Sequence, residues 1–280
     1  MGLKNTVVLL NRPEKHFKES YYFRKIKIGI DKALEGTEYE LVMDYLDKGL
    51  PDIIVDGGLN NSGVIAIAPR INHASIGTLE DMGVPTTLIN CRSPQVSWVD
   101  ADNVLGAITM TEYLISLGHK NILLINGFPD SQNSIDRLIG FKKALEKHGI
   151  EFNPKNVIDC DFSVSLSYEK MKTFLLQNGV DFSAIFCTND YMAVGVIRAL
   201  ADEKIKVPED IAVAGFDDLD FASTFYTPLT TYSQPFENFG FLAVKFLIKQ
   251  MRSKADKCLQ AELIGEIVIR QSCGAELKKK

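Results

Sequence analysis

Five short apolar runs in this chain end in polar or aromatic side chains of a restricted kind. Val7–Leu10 is followed by Asn11 and Arg12, Thr86–Ile89 by Asn90 and Arg92, and Asn156–Asp159 by Asp161 and Phe162. Ala184–Cys187 runs into Thr188, Asn189 and Asp190, and Ile211–Ala214 into Gly215, Phe216, Asp217 and Asp218. Amides, carboxylates and guanidinium groups make planar, paired hydrogen bonds, and aromatic rings present flat apolar faces. Together they suit a polyhydroxylated ring, so the chemistry they suggest is recognition of a sugar-like or nucleoside-like molecule.

Each of these residues also has a structural reading. Asn189 and Asp190 stand where a helix begins and can serve as caps. Asp217, Asp218 and Asp220 can solvate a loop; a calcium loop would need more oxygens at fixed spacing and a distal Glu. Arg137 falls early in a helical stretch, where the dipole disfavours a cation. An anionic or hydroxyl-rich partner would offset that; otherwise Arg137 pairs on the surface with Asp136 or Asp130. Tyr21, Tyr22 and Phe23 open the first helical stretch, either as core aromatics or as a stacking wall for a ligand.

Signatures of catalysis are absent. The chain contains no GxxxxGK[ST], GxGxxG, HExxH or GxSxG motif, which removes the phosphate loop, the dinucleotide turn, the helical zinc site and the nucleophile elbow. His16, His73, His119 and His148 have no metal-ligand spacing. His119, following Leu117-Gly118, reads as a cation at a helix C-terminus. No catalytic residue, cofactor or metal is therefore expected.

The elements that must position the strand-end residues alternate along the chain. Strands are predicted at Thr6–Leu10, Tyr39–Asp44, Val64–Ala68, Thr86–Ile89, Asn121–Ile125, Asn156–Asp159, Ala184–Cys187 and Ile211–Ala214. Helices are predicted at Phe23–Leu34, Gly77–Met82, Val104–Leu117, Ser134–His148, Ser167–Asn178, Tyr191–Asp202 and Phe236–Met251. This is the pattern of βαβ units and parallel sheets, and several strands are apolar throughout, as strands covered on both faces must be. In the third helix Ile108, Thr111, Leu114 and Ile115 make one face; Gly118 ends it, and Gly149 ends the next. Ser97–Asn103 and Thr230–Gln234 read as short polar separators, which favours two sheets over one. The segments Phe236–Met251 and Leu263–Ile269 then have to be shared between lobes, so the chain crosses between them more than once.

The 280 residues, 46% hydrophobic and 24% charged, are enough for two lobes. With 31 Lys and Arg against 36 Asp and Glu the net charge is −5, a poor electrostatic match for nucleic acid. No run approaches the roughly 20 apolar residues of a membrane span, and the start shows no secretory signal. The five cysteines are odd in number and scattered, which suits thiols in a reducing compartment. A cytoplasmic location without membrane contact is expected.

Several motifs in register resemble the lactose/galactose-repressor (LacI/GalR) family of bacterial transcription regulators. They are the runs from Val99 to Ala107 and Tyr113 to Ile122, Arg137-Leu138-Ile139-Gly140-Phe141 with Ala144-Leu145, and the run from Ala184 to Gly195. Val207-Pro208-Glu209-Asp210-Ile211, Gly215-Phe216-Asp217-Asp218 and the run from Pro228 to Pro235 complete the series, so the match covers nearly the whole chain. The resemblance implies an α/β protein of the periplasmic-binding-protein type I. Its two Rossmann-like lobes with parallel sheets would be joined by a three-strand crossover and hold a ligand in the cleft. The lobes would comprise residues 4–102 with 234–262, and 103–233 with 263–274. The resemblance further implies a homodimer that senses a small, sugar-like effector. Carried over residue by residue, the implied contacts are Arg137 of R-x-x-G-F, Asn189 of N-D and Asp217 of G-F-D-D. The implied aromatic contacts are Phe162, Tyr22 and Phe23, with Gln234 at the crossover; Asn11 joins them from its strand end. The family's helix-turn-helix and hinge helix are missing, so operator DNA would be bound only through a headpiece outside this chain. Asp44–Asn61 is shorter and more irregular than the family's second helix, and Asn90 stands where many relatives carry Asp. An exported sugar-binding protein of the same fold is the alternative.

Overall fold

The computed structural model describes residues 5–11, 21–45, 61–67, 74–253 and 258–277. The chain forms two compact units, Met1–Ala101 with Pro235–Leu263 and Asp102–Gln234 with Ile264–Lys280. It therefore passes from one unit to the other three times, at 101/102, 234/235 and 263/264.

The first unit contains β1 (Thr6–Asn11), α1 (Tyr21–Leu34), β2 (Glu40–Tyr45), β3 (Gly63–Ile67), α2 (Ala74–Asp81), β4 (Thr86–Ile89) and β5 (Ser97–Ala101). The second holds α3 (Asn103–Ser116), β6 (Ile122–Asn126), α4 (Gln132–Lys147), β7 (Val157–Asp159), α5 (Val164–Asn178), β8 (Ala184–Cys187) and α6 (Asp190–Asp202). It continues with β9 (Ala212–Asp217), α7 (Phe221–Thr224) and β10 (Thr230–Ser233). The chain returns to the first unit for α8 (Phe236–Ser253) and β11 (Gln260–Leu263), and ends in the second with β12 (Glu266–Val268). The sheet orders are β11-β5-β4-β3-β1-β2 and β12-β10-β9-β8-β6-β7. Every pairing is parallel except the antiparallel one between β10 and β12.

Apolar residues at every strand position follow from helices on both faces. In the second unit Leu123, Ile125, Ile185, Cys187 and Val213 point to one side, against Met171 of α5 and Met192, Val196 and Leu200 of α6. Their neighbours Ile122, Leu124, Ala184, Phe186 and Ala214 point to the other, against Ala107, Met110 and Leu114 of α3 and Phe141 and Leu145 of α4. The two-residue period of a strand sorts one continuous run into two cores. On α3 the buried face runs Ala107, Met110, Thr111, Leu114. It is rotated from the predicted stripe, because Ile108 and Ile115 are only half-buried. Gly118 and Gly149 carry the left-handed backbone, φ 88° and 67°, that ends α3 and α4.

The polar separators are themselves strands. Ser97–Ala101 is β5 and Thr230–Ser233 is β10, and each runs up to a crossing. Their polar side chains are buried but satisfied by distant partners. Ser97 Oγ accepts from Leu259 N–H at 2.8 Å, and Asp100 accepts from Arg92 Nε at 2.7 Å. Thr230 Oγ1 accepts from Arg270 N–H at 2.8 Å. The stretch Leu263–Ile269 likewise divides, β11 pairing with β5 and β12 with β10. His119 sits past the end of α3 with its Nδ1 2.9 Å from Ser183 Oγ. Of the stretch Asp44–Asn61, positions 46–60 lie outside the described residues.

In the first unit Val8, Leu10, Val64, Ala66 and Leu88 pack with Leu79 of α2. Helix α8 packs on β3, β4 and β5 and also against α1. The two helices meet through glycine: a Cβ on Gly240 would stand 2.0 Å from the Ile26 carbonyl oxygen, and one on Gly29 would stand 1.8 Å from that of Glu237. Gly240→Ala should therefore push the helices apart. The net loss expected is about 1–2 kcal/mol after the roughly 1 kcal/mol of helix propensity that alanine gains, read from the midpoint of urea unfolding.

Candidate functional site

A parallel sheet brings the carboxyl ends of its strands to one edge, and in the second unit that edge is polar. β6 ends at Asn126, β7 is followed by Asp161 and Phe162, β8 by Thr188 and Asn189, and β9 ends at Asp217. Four residues there hold left-handed backbone: Asp161 (φ 51°), Phe162 (φ 56°), Asp217 (φ 117°) and Asp218 (φ 57°). Such conformations cost on the order of 1–3 kcal/mol for a non-glycine residue, so surrounding contacts must hold them.

Asp217 is at the centre of those contacts. Its carboxylate is 8% exposed and accepts from Asn189 Nδ2 and from Gln234 Nε2, the latter at 2.5 Å. Arg137 Nη2 lies 3.8 Å from it. Burial pushes the Asp217 carboxyl up to about 6, against the opposing pull of Arg137, Gln234 and Asn189.

Arg137 is 3% exposed, which excludes the surface pairing with Asp136 or Asp130. Its Nε donates to Asn103 Oδ1 at 2.9 Å, its Nη1 to the Thr188 carbonyl, and its guanidinium lies 4.0 Å over the Phe216 ring. Asp136 instead accepts from Gln132 Nε2 at 2.6 Å. Asn189 is a cap, as one of its readings expected, and its amide is engaged at both ends. Its Oδ1 caps α6 by accepting from Tyr191 N–H at 2.8 Å, while its Nδ2 reaches Asp217. Among the described residues the amide of Gln234 has only one end engaged: Nε2 donates to Asp217, and Oε1 is buried with no partner.

Arg137, Asn189, Asp217 and Gln234 are thus joined in one network. Phe162 is half-buried, edge-on to Phe128 at 5.8 Å. Its ring lies close over Gly127, where a Cβ would come within 2.1 Å of it. The remaining expected residues belong to the first unit. Asn11 is the last residue of β1, and its side chain lies outside the described residues. The Tyr22 hydroxyl accepts from Asn90 Nδ2 at 2.6 Å, and its ring meets Phe236 edge-on at 5.1 Å. Asn90 has φ 54°, and its Oδ1 is buried without a partner among the described residues. Phe23, expected as an aromatic contact, is 4% exposed and belongs to the core of this unit. Asn103 and Thr188 were not anticipated as supports of Arg137. Asn103 is a polar residue in a first helical turn, which signals capping more readily than a buried hydrogen bond across 34 residues.

Comparison with known proteins bears on the fold and the family. Residues 111–273 match the family model described as periplasmic binding protein-like domain. The chain is 35% identical over 167 residues to the HTH-type transcriptional repressor PurR of Histophilus somni (strain 2336), an alignment covering 60% of this chain and 50% of that protein. It therefore spans half the length of that relative. The solved complex of the transcriptional regulator CelR with cellobiose superposes with a TM-score of 0.87 at 25% identity, covering 97% of this chain and 85% of that one. A putative transcriptional regulator LacI from Bacillus cereus subsp. cytotoxis NVH 391-98 gives the same TM-score and identity, covering 97% and 99%.

The chain belongs to the LacI/GalR family. These relatives are regulators rather than enzymes. The LacI/GalR motifs now have physical roles in the second unit. R-x-x-G-F supplies Arg137, together with Gly140, where a Cβ would stand 2.3 Å from the Val104 carbonyl oxygen of α3, and Phe141 of the core. G-F-D-D supplies the Phe216 ring beneath the guanidinium and the buried Asp217 carboxylate.

A carboxyl with a raised folded-state pKa binds more protons folded than unfolded, so its contribution to stability falls as pH rises. For Asp217 the fall spans the interval from the ordinary value of 3.8 to about 6, where it is complete. Asp217→Asn removes that dependence. Its stability relative to the parent should rise between pH 4 and pH 7 by up to about 3 kcal/mol, measured by urea unfolding at each pH.

Proposed function

We propose that this chain is the effector-binding part of a LacI/GalR-type transcription regulator and takes up a small polar ligand, sugar-like in chemistry, at the Asp217 network. The observation that carries this is the buried carboxylate held by Asn189, Gln234 and Arg137 beside a Gln234 carbonyl oxygen that has no donor. A buried acceptor left open costs about 1–3 kcal/mol. The Asp217 carboxylate settles the orientation of the Gln234 amide, because only the NH2 end can donate to it; the open atom is therefore an acceptor. A ligand rich in hydroxyl donors fits an anion and an open carbonyl oxygen side by side, and the guanidinium of Arg137 supplies donors for ring or hydroxyl oxygens. The solved CelR neighbour carries cellobiose, which is the same kind of molecule.

In this reading the protein acts as a homodimer, ligand binding shifts a conformational equilibrium, and operator DNA is bound through a headpiece that is not among these 280 residues. Such work fits a cytoplasmic protein. Among the described residues no helix is long and apolar enough to cross a membrane.

Calorimetric titration with cellobiose, other mono- and disaccharides, sugar phosphates and nucleosides tests the site. At least one saccharide should bind, and Arg137→Ala or Asp217→Asn should weaken it about tenfold or more, the size of one lost charge-assisted hydrogen bond. Only the ionised Asp217 accepts hydroxyl donors with both oxygens, so binding should tighten as pH rises through about 6 and then level off. A panel without any binder, or binding indifferent to both substitutions, overturns the proposal.

A further inference from the structure

Beside the network lies a second carboxylate whose use is not explained by ligand contact. Asp190 follows the α6 cap directly and is fully buried. Both of its oxygens are taken: Oδ1 accepts from the Thr231 hydroxyl of β10 at 2.7 Å, and Oδ2 accepts from Leu219 N–H at 2.8 Å. Thr231 Oγ1 in turn accepts from Asp218 N–H at 3.3 Å. The two amides held in this way, 218 and 219, immediately follow Asp217, and Asp217 and Asp218 are the left-handed residues of the turn. The strand also makes room for the clamp, since a Cβ on Gly215 would stand 2.1 Å from Asp190 Oδ1.

We propose that Asp190 is a positioning residue for the ligand site: it pins the turn after β9 to β10 from behind and thereby aims the Asp217 carboxylate. The inference rests on the reading of the Asp217 network as the ligand site, but the clamp itself can be tested without a ligand. The charged and titratable groups around it are Asp217 and Asp218 on the turn, Cys187 on β8, Arg137 near Asp217, and Arg270, which holds Asp218 at 2.7 Å. Among the described residues no cation pairs with Asp190. Two carboxylates buried side by side cannot both be charged cheaply, and the cation stands on the side of Asp217. Asp190 is then the partner that keeps the proton, carried on Oδ1 in the contact with the Thr231 hydroxyl while Oδ2 goes on accepting from Leu219. Burial, and after it the charge of Asp217, push its carboxyl well above the ordinary range, while the bonds from Thr231 and Leu219 pull the other way.

The test uses the full chain without ligand. Carbon-13 NMR follows the two carboxyl groups, assigned with Asp217→Asn and Asp190→Asn, while hydrogen exchange follows the 218 and 219 amides. In the parent Asp217 should ionise first and Asp190 at higher pH, with protection of the Leu219 amide rising as Asp190 loses its proton, because the ionised carboxylate accepts the stronger hydrogen bond. Asp190→Asn, a neutral group of the same shape, should keep the low-pH protection and abolish the alkaline rise. Asp190→Ala should lower Leu219 protection about tenfold, the size of one lost buried hydrogen bond, and move the Asp217 midpoint. Thr231→Val, which removes the relay while retaining Asp190, should loosen Asp218 in the same way and serves if the alanine variant does not fold. Asp190 ionising before Asp217, or loss of Asp190 or Thr231 leaving both amides protected, would overturn the clamp. A parallel cellobiose titration addresses the ligand reading alone: no binding to the parent counts against that reading, and the NMR result stands apart from it.

Discussion

A carboxylate withdrawn from water has to be met by donors or take up a proton, and much of the second unit's polar architecture answers that demand at Asp217. The demand is met from three directions, Asn189 at the start of α6, Gln234 just past β10 and Arg137 on α4, while the turn that carries Asp217 is held by Asp190 through Leu219. Each donor is in turn supported: Arg137 by Asn103, the Thr188 carbonyl and the Phe216 ring, and Asn189 by its capping bond to Tyr191. Because the network is buried, removing any one member leaves a buried group unsatisfied, which is why a set of individually ordinary side chains acts as a unit.

The scaffold makes this possible by removing choice from the backbone. A parallel sheet covered on both faces is apolar along its strands, so its polar residues are confined to the ends, and parallel order brings those ends to one edge. Close helix–helix contacts add rigidity. Gly140 lets α4 sit against α3, and this fixes the helix that carries Arg137. In the first unit Gly29 and Gly240 play the equivalent part for α1 and α8, with Tyr22 at the start of α1 and Phe236 at the start of α8 meeting edge-on.

Much of this architecture was legible from residue pattern. Eight apolar runs stood out as strands, and all eight occur with ends displaced by at most a few residues. Four strands escaped notice, β5, β10, β11 and β12, and β5 and β10 bury polar side chains in a sheet. Ser97, Asp100, Thr230 and Thr231 enter a sheet only because Leu259, Arg92, Arg270 and Asp190 satisfy them from positions 8 to 162 residues away. Local propensity carries no trace of such partners. Phe23 shows the opposite failure: an aromatic residue at the start of a helix serves core and ligand equally well on residue type, and burial assigned it to the core.

The amino-acid order by itself determined the alternation of strands and helices, the doubly covered sheets, and the placement of amides, carboxylates and guanidinium groups just past strand ends. These depend on periodicity and on chain neighbours. Tertiary structure alone decided that Arg137 is buried over Phe216, that Asn189 caps and donates at once, that Gln234 Oε1 has no partner among the described residues, and that Asp190 is bonded to Thr231 and Leu219. Such outcomes depend on which groups are brought within hydrogen-bond distance once the chain has buried them, and residues as far apart in sequence as Arg137 and Phe216 meet only when the sheet that joins them has formed.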